Sequence, residues 1–322
     1  MHAIGIDIGG TKIAGALVSE SGEIVRTARR PTPAGDPVAI VDNVVELITS
    51  LGAGEDVIAA GVAAAGFVDA TQSLVYYAPN INWRSEPFRA RLSERLPGID
   101  ITVDNDANAA GWAEYRFGGG RGATDMTMLT IGTGVGGAVI ADSRLLRGGF
   151  GAAGEVGHLR VVPGGLPCGC GQRGCIEQYG SGRALLRYAN EIADAGGIGL
   201  GLAEARSTDG ELGGDNVARL IGDHDPGALA ALRELGSWLG HACASIGAVL
   251  DPQRFVFGGG VAAAGDLLLE SIRESFLAHL PARGFHPEPS FSVAELVNDA
   301  GVVGAADLAR LHARGRSTAS AR

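Results

Sequence analysis

The sequence lacks the features that would place the protein at a membrane or on a nucleic acid. Its 322 residues hold 26 basic against 36 acidic side chains, and Lys12 is the single lysine. Proteins that bind nucleic acid or anionic membranes usually carry a basic surface, so we expect neither partner. No apolar run approaches the ~20 residues that cross a bilayer, and the N-terminus shows no secretory pattern. We therefore expect a cytoplasmic protein.

Cysteine is also scarce, and its distribution is uneven. Three of the four cysteines, Cys168, Cys170 and Cys175, lie within eight residues. In a chain expected in a reducing compartment, such crowding indicates a metal site rather than a disulfide framework. The fourth, Cys243, lies in an apolar helical stretch and is predicted to be an inert core thiol.

Glycine, in contrast, is abundant, with 52 residues in clusters that follow no repeating period. This excludes collagen and indicates tight turns or close backbone approaches. A pattern of strand, glycine turn and strand occurs twice, around Gly9-Gly10 and around Gly132-Thr133-Gly134. Two copies of one unit in a chain of this length predict two similar α/β domains. The glycine run at 118–122 is a candidate hinge between them, and 196–214 is expected to be a surface loop.

Three glycine turns leave strand ends, the third at Gly258-Gly259-Gly260. None forms a Walker loop, and the turn at Gly132 leads into a strand rather than the helix that a dinucleotide fingerprint requires. One such cluster alone is usually a plain turn. Three in one chain favour a nucleotide whose phosphates approach backbone N–H groups in a cleft between the domains.

Two polar groups complete the candidate chemistry. Asp104-Asn105-Asp106 ends a predicted strand before a helix; helix capping explains one of these residues, whereas three favour a ligand site. His158 and the three clustered cysteines make a full tetrahedral zinc set, and a closed set of four ligands is structural rather than hydrolytic. The alternative is a group of reduced surface thiols with His158 unrelated to them.

Taken together, these motifs resemble the ROK family (repressors, open reading frames and sugar kinases) from the first strand to about Leu311. Within the family, the chain looks like the ATP-dependent glucokinases of actinobacteria. In order, the motifs are Asp7-Ile8-Gly9-Gly10-Thr11-Lys12, Pro79-Asn80, Asn105-Asp106-Ala107-Asn108-Ala109, Gly132-Thr133-Gly134, Glu155-x-Gly157-His158, Cys168-x-Cys170-x4-Cys175-x-Glu177 and Gly258-Gly259-Gly260.

The resemblance implies a two-domain actin-like ATPase fold of the ribonuclease H-like type, with an interdomain active-site cleft and a small zinc-binding loop. The implied domains are 1–118 joined by a C-terminal helix at about 300–313, then 119–299 with the zinc loop 158–175, then a frayed tail at 314–322. The implied reaction moves the γ-phosphoryl group of ATP, with Mg²⁺, to the 6-hydroxyl of glucose. We expect a homo-oligomer, either a dimer or a tetramer.

The resemblance also implies roles for individual residues. Asp106 would be the general base. Residues implied to hold ATP and Mg²⁺ are Asp7, Gly9, Gly10, Thr11, Lys12, Thr133, Gly134, Gly259 and Gly260. Residues implied to hold the sugar are Asn80, Asn105, Asp106, Glu155, His158 and Glu177. Structural Zn²⁺ would be bound by His158, Cys168, Cys170 and Cys175.

Several alternatives remain open at this point. Another hexose, an N-acetylhexosamine or polyphosphate could replace glucose or ATP in the same chemistry. A sugar-sensing repressor of the same family is disfavoured, because it needs a helix-turn-helix domain before the first strand and can lack the aspartate that is present here as Asp106. A zinc-dependent interaction module would leave the glycine turns unexplained.

Overall fold

The structure is a computed structural model that describes residues 2–78 and 81–320. Internal contacts divide the chain into two units. Unit 1 comprises Met1–Gly122, Ala138–Gly154 and Glu295–Arg322, and unit 2 comprises Ala123–Gly137 and Glu155–Ala294. Both units contain helices and β-strands, as the sequence predicts.

Short runs of strands are separated by helices in the first part of the chain. Within the described residues the strands are β1 (His2–Ile8), β2 (Lys12–Val18), β3 (Ile24–Pro31), β4 (Val57–Ala64), β5 (Phe67–Val68), β6 (Val75–Ala78), β7 (Trp83–Glu86), β8 (Asp100–Asn105), β9 (Met126–Ile131), β10 (Val135–Ala141), β11 (Arg144–Leu145), β12 (Arg254–Gly258) and β13 (Ser290–Val293). The helices are α1 (Pro37–Gly52), α2 (Phe88–Arg95), α3 (Asp106–Phe117), α4 (Glu177–Gly180), α5 (Gly182–Ala195), α6 (Leu200–Asp209), α7 (Gly214–Gly222), α8 (Pro226–Leu250), α9 (Asp266–His279) and α10 (Ala300–Ser320). Among these helices, none is both long and apolar enough to cross a membrane. Along the chain, α4 to α8 follow one another before β12.

Unit 1 is built on a five-stranded sheet with the order β3-β2-β1-β4-β8. β1 pairs antiparallel with β2 across the first glycine turn, whereas β1, β4 and β8 run parallel. The register aligns Asp7 with Ala63 and Ala63 with Asp104. The carboxyl ends of the parallel strands therefore carry Asp7 and Asp104 at one edge of the sheet, where ligands bind in α/β proteins. β5, β6 and β7 form a separate small sheet.

Helices cover both faces of this sheet. On one face, α1 starts as its N-cap and proline predict: the Asp36 carboxylate accepts hydrogen bonds from the backbone N–H groups of Val38 and Ala39 at 3.1 and 3.0 Å. Its apolar side chains pack against Ile4 and Ile6 of β1. The alternating residues of β1 face the other way, toward α3 and α10.

α10 approaches the sheet so closely that side chains are excluded at the contact. A Cβ atom on Gly5 would lie 1.8 Å from the Val302 carbonyl oxygen, and one on Gly61 would lie 1.9 Å from that of Ala305. Glycine at these two strand positions therefore brings the helix backbone directly onto the strands. As a consequence, the first turn of α10 lies beside the end of β1.

The second five-stranded sheet has the order β11-β10-β9-β12-β13, and its strands β9, β12 and β13 belong to unit 2. β12 runs parallel to β9 and to β13. The core of unit 2 combines Phe255 and Phe257 of β12 with Leu235 and Leu239 of α8 and with Phe276 of α9. Cys243 is fully buried in this core, as predicted, and burial raises the pKa of its thiol.

Several boundaries differ from those expected. Residues Ala138–Gly154 group with unit 1 rather than with the second domain, because the segment after β11 makes its contacts within unit 1. Unit 1 resumes at Glu295 rather than near residue 300. The expected loop at 196–214 contains α6, whose glycine-rich flanks concealed it. The tail that was expected to be frayed continues α10 as a helix as far as Ser320.

Candidate active site

Two aspartates of unit 1 influence each other at the edge of the first sheet. Asp7 is the penultimate residue of β1, and Asp106 starts α3. Burial, together with the negative charge of Asp106, raises the pKa of Asp7 to about 6, although Lys12 opposes both effects. A Cβ atom on Gly301 would lie 2.8 Å from Asp7 Oδ2, so the carboxylate rests against the first turn of α10. Two neighbouring, partly buried carboxylates favour a cation or a proton between them.

Asp106 has the properties expected of a proton acceptor. Burial raises the pKa of its carboxyl group above the ordinary value of 3.8, although the backbone N–H of Ala107 donates to Oδ1 at 2.9 Å and opposes the shift. Its place at the start of α3 favours the ionised form through the helix dipole. A carboxylate with a raised pKa accepts a proton more readily near neutral pH than an ordinary aspartate does.

Asn105 is the N-cap of α3. Its side-chain oxygen accepts a hydrogen bond from the backbone N–H of Asn108 at 2.9 Å, and its Nδ2 donates to the carbonyl oxygen of Gly66 at 3.0 Å. Helix capping therefore accounts for Asn105 within this tripeptide. The neighbouring Asp104 is buried and pairs with Arg147. Arg147 was missed from the sequence, because nothing along the chain relates it to Asp104.

The first glycine turn is held at its base and exposed at its tip. The backbone N–H of Gly9 donates to the Lys12 carbonyl oxygen at 3.0 Å, and the Thr32 hydroxyl donates to that of Gly9 at 2.7 Å. Gly10, Thr11 and Lys12 are exposed. The turn thus presents backbone groups and an ammonium group beside Asp7, an arrangement suited to binding phosphate.

In unit 2, the other two glycine turns border a cavity of about 720 Å³. Thr133 and Gly260 contribute to its wall, as do Arg183 at the start of α5 and Asp215 at the start of α7. The remaining lining is mainly small or apolar: Gly132, Gly182, Leu185, Leu186, Gly214, Ala218, Ile221, Gly222, Val261, Ala263, Ala264 and Leu267. A largely apolar cavity with a few polar groups is typical of a site for a flat organic ligand.

Gly134 and Gly259 serve the turns themselves rather than the cavity wall. A Cβ atom on Gly134 would lie 2.3 Å from Glu177 Oε2, and one on Gly259, which has φ +84°, would lie 2.5 Å from the Ile131 carbonyl oxygen. Sequence reasoning missed Arg183 and Asp215. The signal available for Arg183 was the N-cap Ser181, which marks the start of α5.

His158 and the three clustered cysteines converge as the zinc prediction requires. One ligand atom from each of the four lies within 4.8 Å of the others. Cys170 Sγ lies 3.6 Å from Cys175 Sγ, and Cys168 Sγ lies 3.8 Å from His158 Nδ1. Tetrahedral zinc with Zn–S bonds of about 2.3 Å separates its sulfur ligands by about 3.8 Å. The thiols are free, and their spacing fits a shared metal ion rather than a disulfide.

Glu177 connects this cluster to the second glycine turn. Its Oε1 lies 3.7 Å from Cys168 Sγ, and its Oε2 accepts a hydrogen bond from the backbone N–H of Val135 at 3.3 Å. Arg183 donates from Nη2 to Glu177 Oε1 at 3.4 Å and from Nε to the Thr133 carbonyl oxygen at 2.9 Å. Metal cluster, glycine turn and cavity wall are therefore joined through one carboxylate and one guanidinium group.

The predicted site residues thus fall into two sets. Unit 1 contains Asp7, the turn Gly9–Lys12, Asn105 and Asp106, and unit 2 contains the remaining described residues of the predicted site. Within unit 2, the backbone N–H of His158 donates to the Glu155 carbonyl oxygen at 3.0 Å, which keeps these two residues in one turn. Asn80 lies outside the described residues.

Comparisons with known proteins identify close relatives. The family model described as ROK family matches residues 3–312. A glucokinase of Streptomyces coelicolor is 45% identical over 309 residues, which cover 95% of this chain and 97% of that protein. An N-acetylmannosamine kinase of Escherichia coli is 34% identical and covers 96% of this chain and 99% of its own. The crystal structure of a ROK family glucokinase from Streptomyces griseus with glucose and AMPPNP is 44% identical, covers 97% of this chain and 100% of its own, and has a TM-score of 0.84.

Proposed function

The chain belongs to the ROK family, and from this premise we propose that it is an ATP-dependent glucokinase. It transfers the γ-phosphoryl group of ATP to the 6-hydroxyl of glucose and releases glucose 6-phosphate, ADP and a proton. The observation that carries the proposal is the similarity, over nearly the whole chain, to glucokinases, one of which was crystallised with glucose and AMPPNP. The geometry of each unit supports the chemistry.

In this proposal Asp106 is the general base. It accepts the proton of the sugar 6-hydroxyl as the oxygen attacks the γ-phosphorus, and the raised pKa of Asp106 suits this role near neutral pH. The exposed backbone of Gly10 and Thr11 and the ammonium group of Lys12 hold the transferred phosphoryl group. Asp106 therefore acts on the nucleophile while the glycine turn holds the electrophile.

Asp7 is the residue suited to hold Mg²⁺ or its water ligands. Oxygen ligands from one or two carboxylates are what this ion takes in phosphoryl-transfer sites. Burial and the negative charge of Asp106 raise the pKa of Asp7, and a dication would offset both effects. When bound, Mg²⁺ supplies charge neutralisation at the phosphates of ATP.

The cavity of unit 2 receives the adenosine part of ATP in this proposal. Its apolar wall and small residues leave room for a purine, and Thr133 lies on the side where a glycine turn provides backbone N–H groups for phosphate. Gly260 contributes backbone rather than a side chain to the wall. Gly134 and Gly259 maintain the two turns.

The sugar is held by Asn80, Asn105, Glu155, His158 and Glu177 in this proposal. Structural Zn²⁺ bound by His158 and the three cysteines orients the histidine, and Glu177 lies beside the same cluster. Three thiolates and one imidazole fill four positions, so the ion takes no part in phosphoryl transfer.

A coupled assay of ADP release over a panel of hexoses and N-acetylhexosamines tests the function. Glucose should give the highest kcat/KM, and Asp106→Asn should abolish most of that signal. The similarity to an N-acetylmannosamine kinase makes N-acetylmannosamine the most informative competitor. A higher kcat/KM with that sugar, or turnover with polyphosphate in place of ATP but none with ATP, would overturn the proposal.

A further inference from the structure

The buried carboxylate of Asp104, which immediately precedes Asn105 and Asp106, joins three separate segments of unit 1. Its Oδ2 accepts hydrogen bonds from Arg147 Nη2 and Nε at 2.6 and 3.0 Å, and from Gln72 Nε2 at 3.0 Å. Its Oδ1 accepts from the backbone N–H of Asn105 at 3.0 Å and from Asn108 Nδ2 at 3.2 Å. One carboxylate oxygen therefore binds distant segments, and the other binds the start of α3.

The two residues that donate to Asp104 Oδ1 lie on either side of Asp106 in the sequence. Asn105 precedes the proposed base, and Asn108 follows it by two residues in the same helical turn. Because both donate to one oxygen, a displacement of Asp104 would displace the backbone on which Asp106 is mounted. The side chain of Asp104 is only 6% exposed, which leaves little freedom for water to replace a lost partner.

The oxygen that faces away is held by Arg147, which follows β11. The loop from Leu146 to Gly154 is itself packed onto β5: a Cβ atom on Gly151, which has φ +92°, would lie 2.1 Å from the Val68 carbonyl oxygen. The Ala153 N–H donates to the Arg147 carbonyl oxygen at 3.0 Å, which closes the loop on itself. Arg147 thus extends from a fixed loop and supplies the one positive charge among the groups bonded to Asp104.

We propose that the ion pair of Arg147 with Asp104 is a positioning device for the general base, and that Arg147 is a positioning residue for phosphoryl transfer to the sugar. The guanidinium group fixes the Asp104 carboxylate, which fixes the first turn of α3 and with it Asp106. The inference rests on the proposed function for its kinetic consequence, whereas the ordering of α3 by Arg147 is independent of the substrate.

The two partners are not equivalent when removed. Arg147→Met leaves a buried carboxylate without its cation, so the Asp104 side chain is expected to move. The side chain of Asp104→Asn has one carbonyl oxygen and one NH₂ group. We expect the oxygen to accept the hydrogen bonds from the Asn105 backbone N–H and from Asn108 Nδ2, so that the NH₂ group faces Arg147. Asp104→Asn therefore releases the loop while retaining the bonds to α3. A lysine side chain keeps the positive charge but lacks the two donors that the planar guanidinium group directs at one oxygen. Arg147→Lys should therefore behave in a manner intermediate between Arg147→Met and the parent.

The experiment compares Arg147→Met, Arg147→Lys, Asp104→Asn and the double variant Arg147→Met/Asp104→Asn with the parent. Arg95→Met is the matched control, since Arg95 forms an exposed ion pair of 2.8 Å with Asp42 elsewhere in unit 1. For Arg147→Met, kcat/KM for glucose should fall by roughly 10- to 100-fold through misplacement of the base, while KM for ATP stays at the parent value. The double variant should lose less than the product of the two single losses, because it removes both charges together.

Hydrogen exchange of the same proteins gives a readout without substrate. Amides of residues 105–108 and 146–154 should exchange faster in Arg147→Met, those of 146–154 alone in Asp104→Asn, and neither group in Arg95→Met. Parent-like kinetics and exchange in Arg147→Met would overturn the inference, as would an equal rise in KM for ATP and glucose, which indicates general loosening. If the parent fails to phosphorylate glucose, the proposed function fails, and the exchange pattern still decides whether Arg147 orders α3.

Discussion

The carboxylate of Glu114 in α3 accepts a hydrogen bond from the backbone N–H of Leu296 at 2.7 Å, 182 residues further along the chain. The same fully buried side chain accepts from the N–H groups of Gly119 and Glu295, at 2.8 and 3.0 Å. Glu114 thus fastens two segments of unit 1 that adjoin the unit boundaries at Gly122 and Glu295. The first part of the glycine run 118–122, which was predicted as a hinge, is therefore bound to α3 through Gly119. Arg121 and Gly122, at the end of the run, are exposed.

Glu114→Gln should destabilise the protein, because an amide replaces one of the two acceptor oxygens with a donor. At least one of the three N–H groups then loses its partner on the buried side chain, at a cost of about 1–3 kcal/mol. Urea denaturation should record this decrease in the free energy of unfolding. Glu46→Gln is the control, since its side chain is 65% exposed, and equal stability of the two variants would contradict the assigned role.

Asp106→Asn tests the base directly. The amide keeps the shape of the side chain but cannot accept the proton, so kcat should fall by roughly 10²–10⁴ while calorimetry still detects glucose binding. In the parent, kcat/KM for glucose should fall as the pH drops through the pKa of Asp106, which burial raises above 3.8. Near-parent turnover in the variant would exclude Asp106 as the base.

Asp7→Asn should separate stability from activity. The folded chain raises the pKa of Asp7 from 3.8 to about 6, so its ionised form at pH 7 costs stability, up to about 3 kcal/mol. The variant should therefore unfold at a higher temperature than the parent at pH 7 and yet lose kinase activity with Mg²⁺. This gain should decline as the pH falls from 6 and vanish below about 3.8, where the carboxyl group is protonated in both states.

The control for this variant is Asp42→Asn, whose parent side chain is 48% exposed. It should change neither melting temperature nor activity appreciably. Lower stability of Asp7→Asn at pH 7 would mean that contacts of the carboxylate outweigh the cost of burying its charge, and the electrostatic account of the site would then be wrong.

The sequence predicted the elements whose signals are local, and missed those that depend on distant partners. The turn after β1, the capped start of α1 at Asp36 and the grouping of His158 with the three clustered cysteines were all predictable, because each is specified by residues within about one turn or one loop. α6 and the small sheet of β5, β6 and β7 were missed. Their segments are short, and tertiary pairing rather than periodicity determines them.

The same limit applies inside the candidate site. The sequence indicated Asp104-Asn105-Asp106 as one polar group, but it could not distribute the roles among them. The structure uses Asn105 as the cap of α3 and buries Asp104 against Arg147, 43 residues away. That division follows from the approach of the loop after β11 to β8, and no spacing in the chain reports it.

The last prediction concerns the cluster of His158 with the three cysteines, and it connects the proposed zinc site to the proposed sugar site. Burial, reinforced by the adjacent Cys170 and Cys168 thiols, raises the pKa of Cys175 to about 12, so without a cation this thiol stays protonated; zinc would bind the thiolates and release the protons. Cys170→Ser should lower the metal content from one zinc per chain and raise KM for glucose, because His158 and Glu177 lose their common support. Binding of ATP at the cavity of unit 2 should persist.

Cys243→Ala is the control for this variant: it should keep its zinc while the core loses stability. A zinc-free Cys170→Ser enzyme with an unchanged KM for glucose would show that the metal does not organise the sugar site.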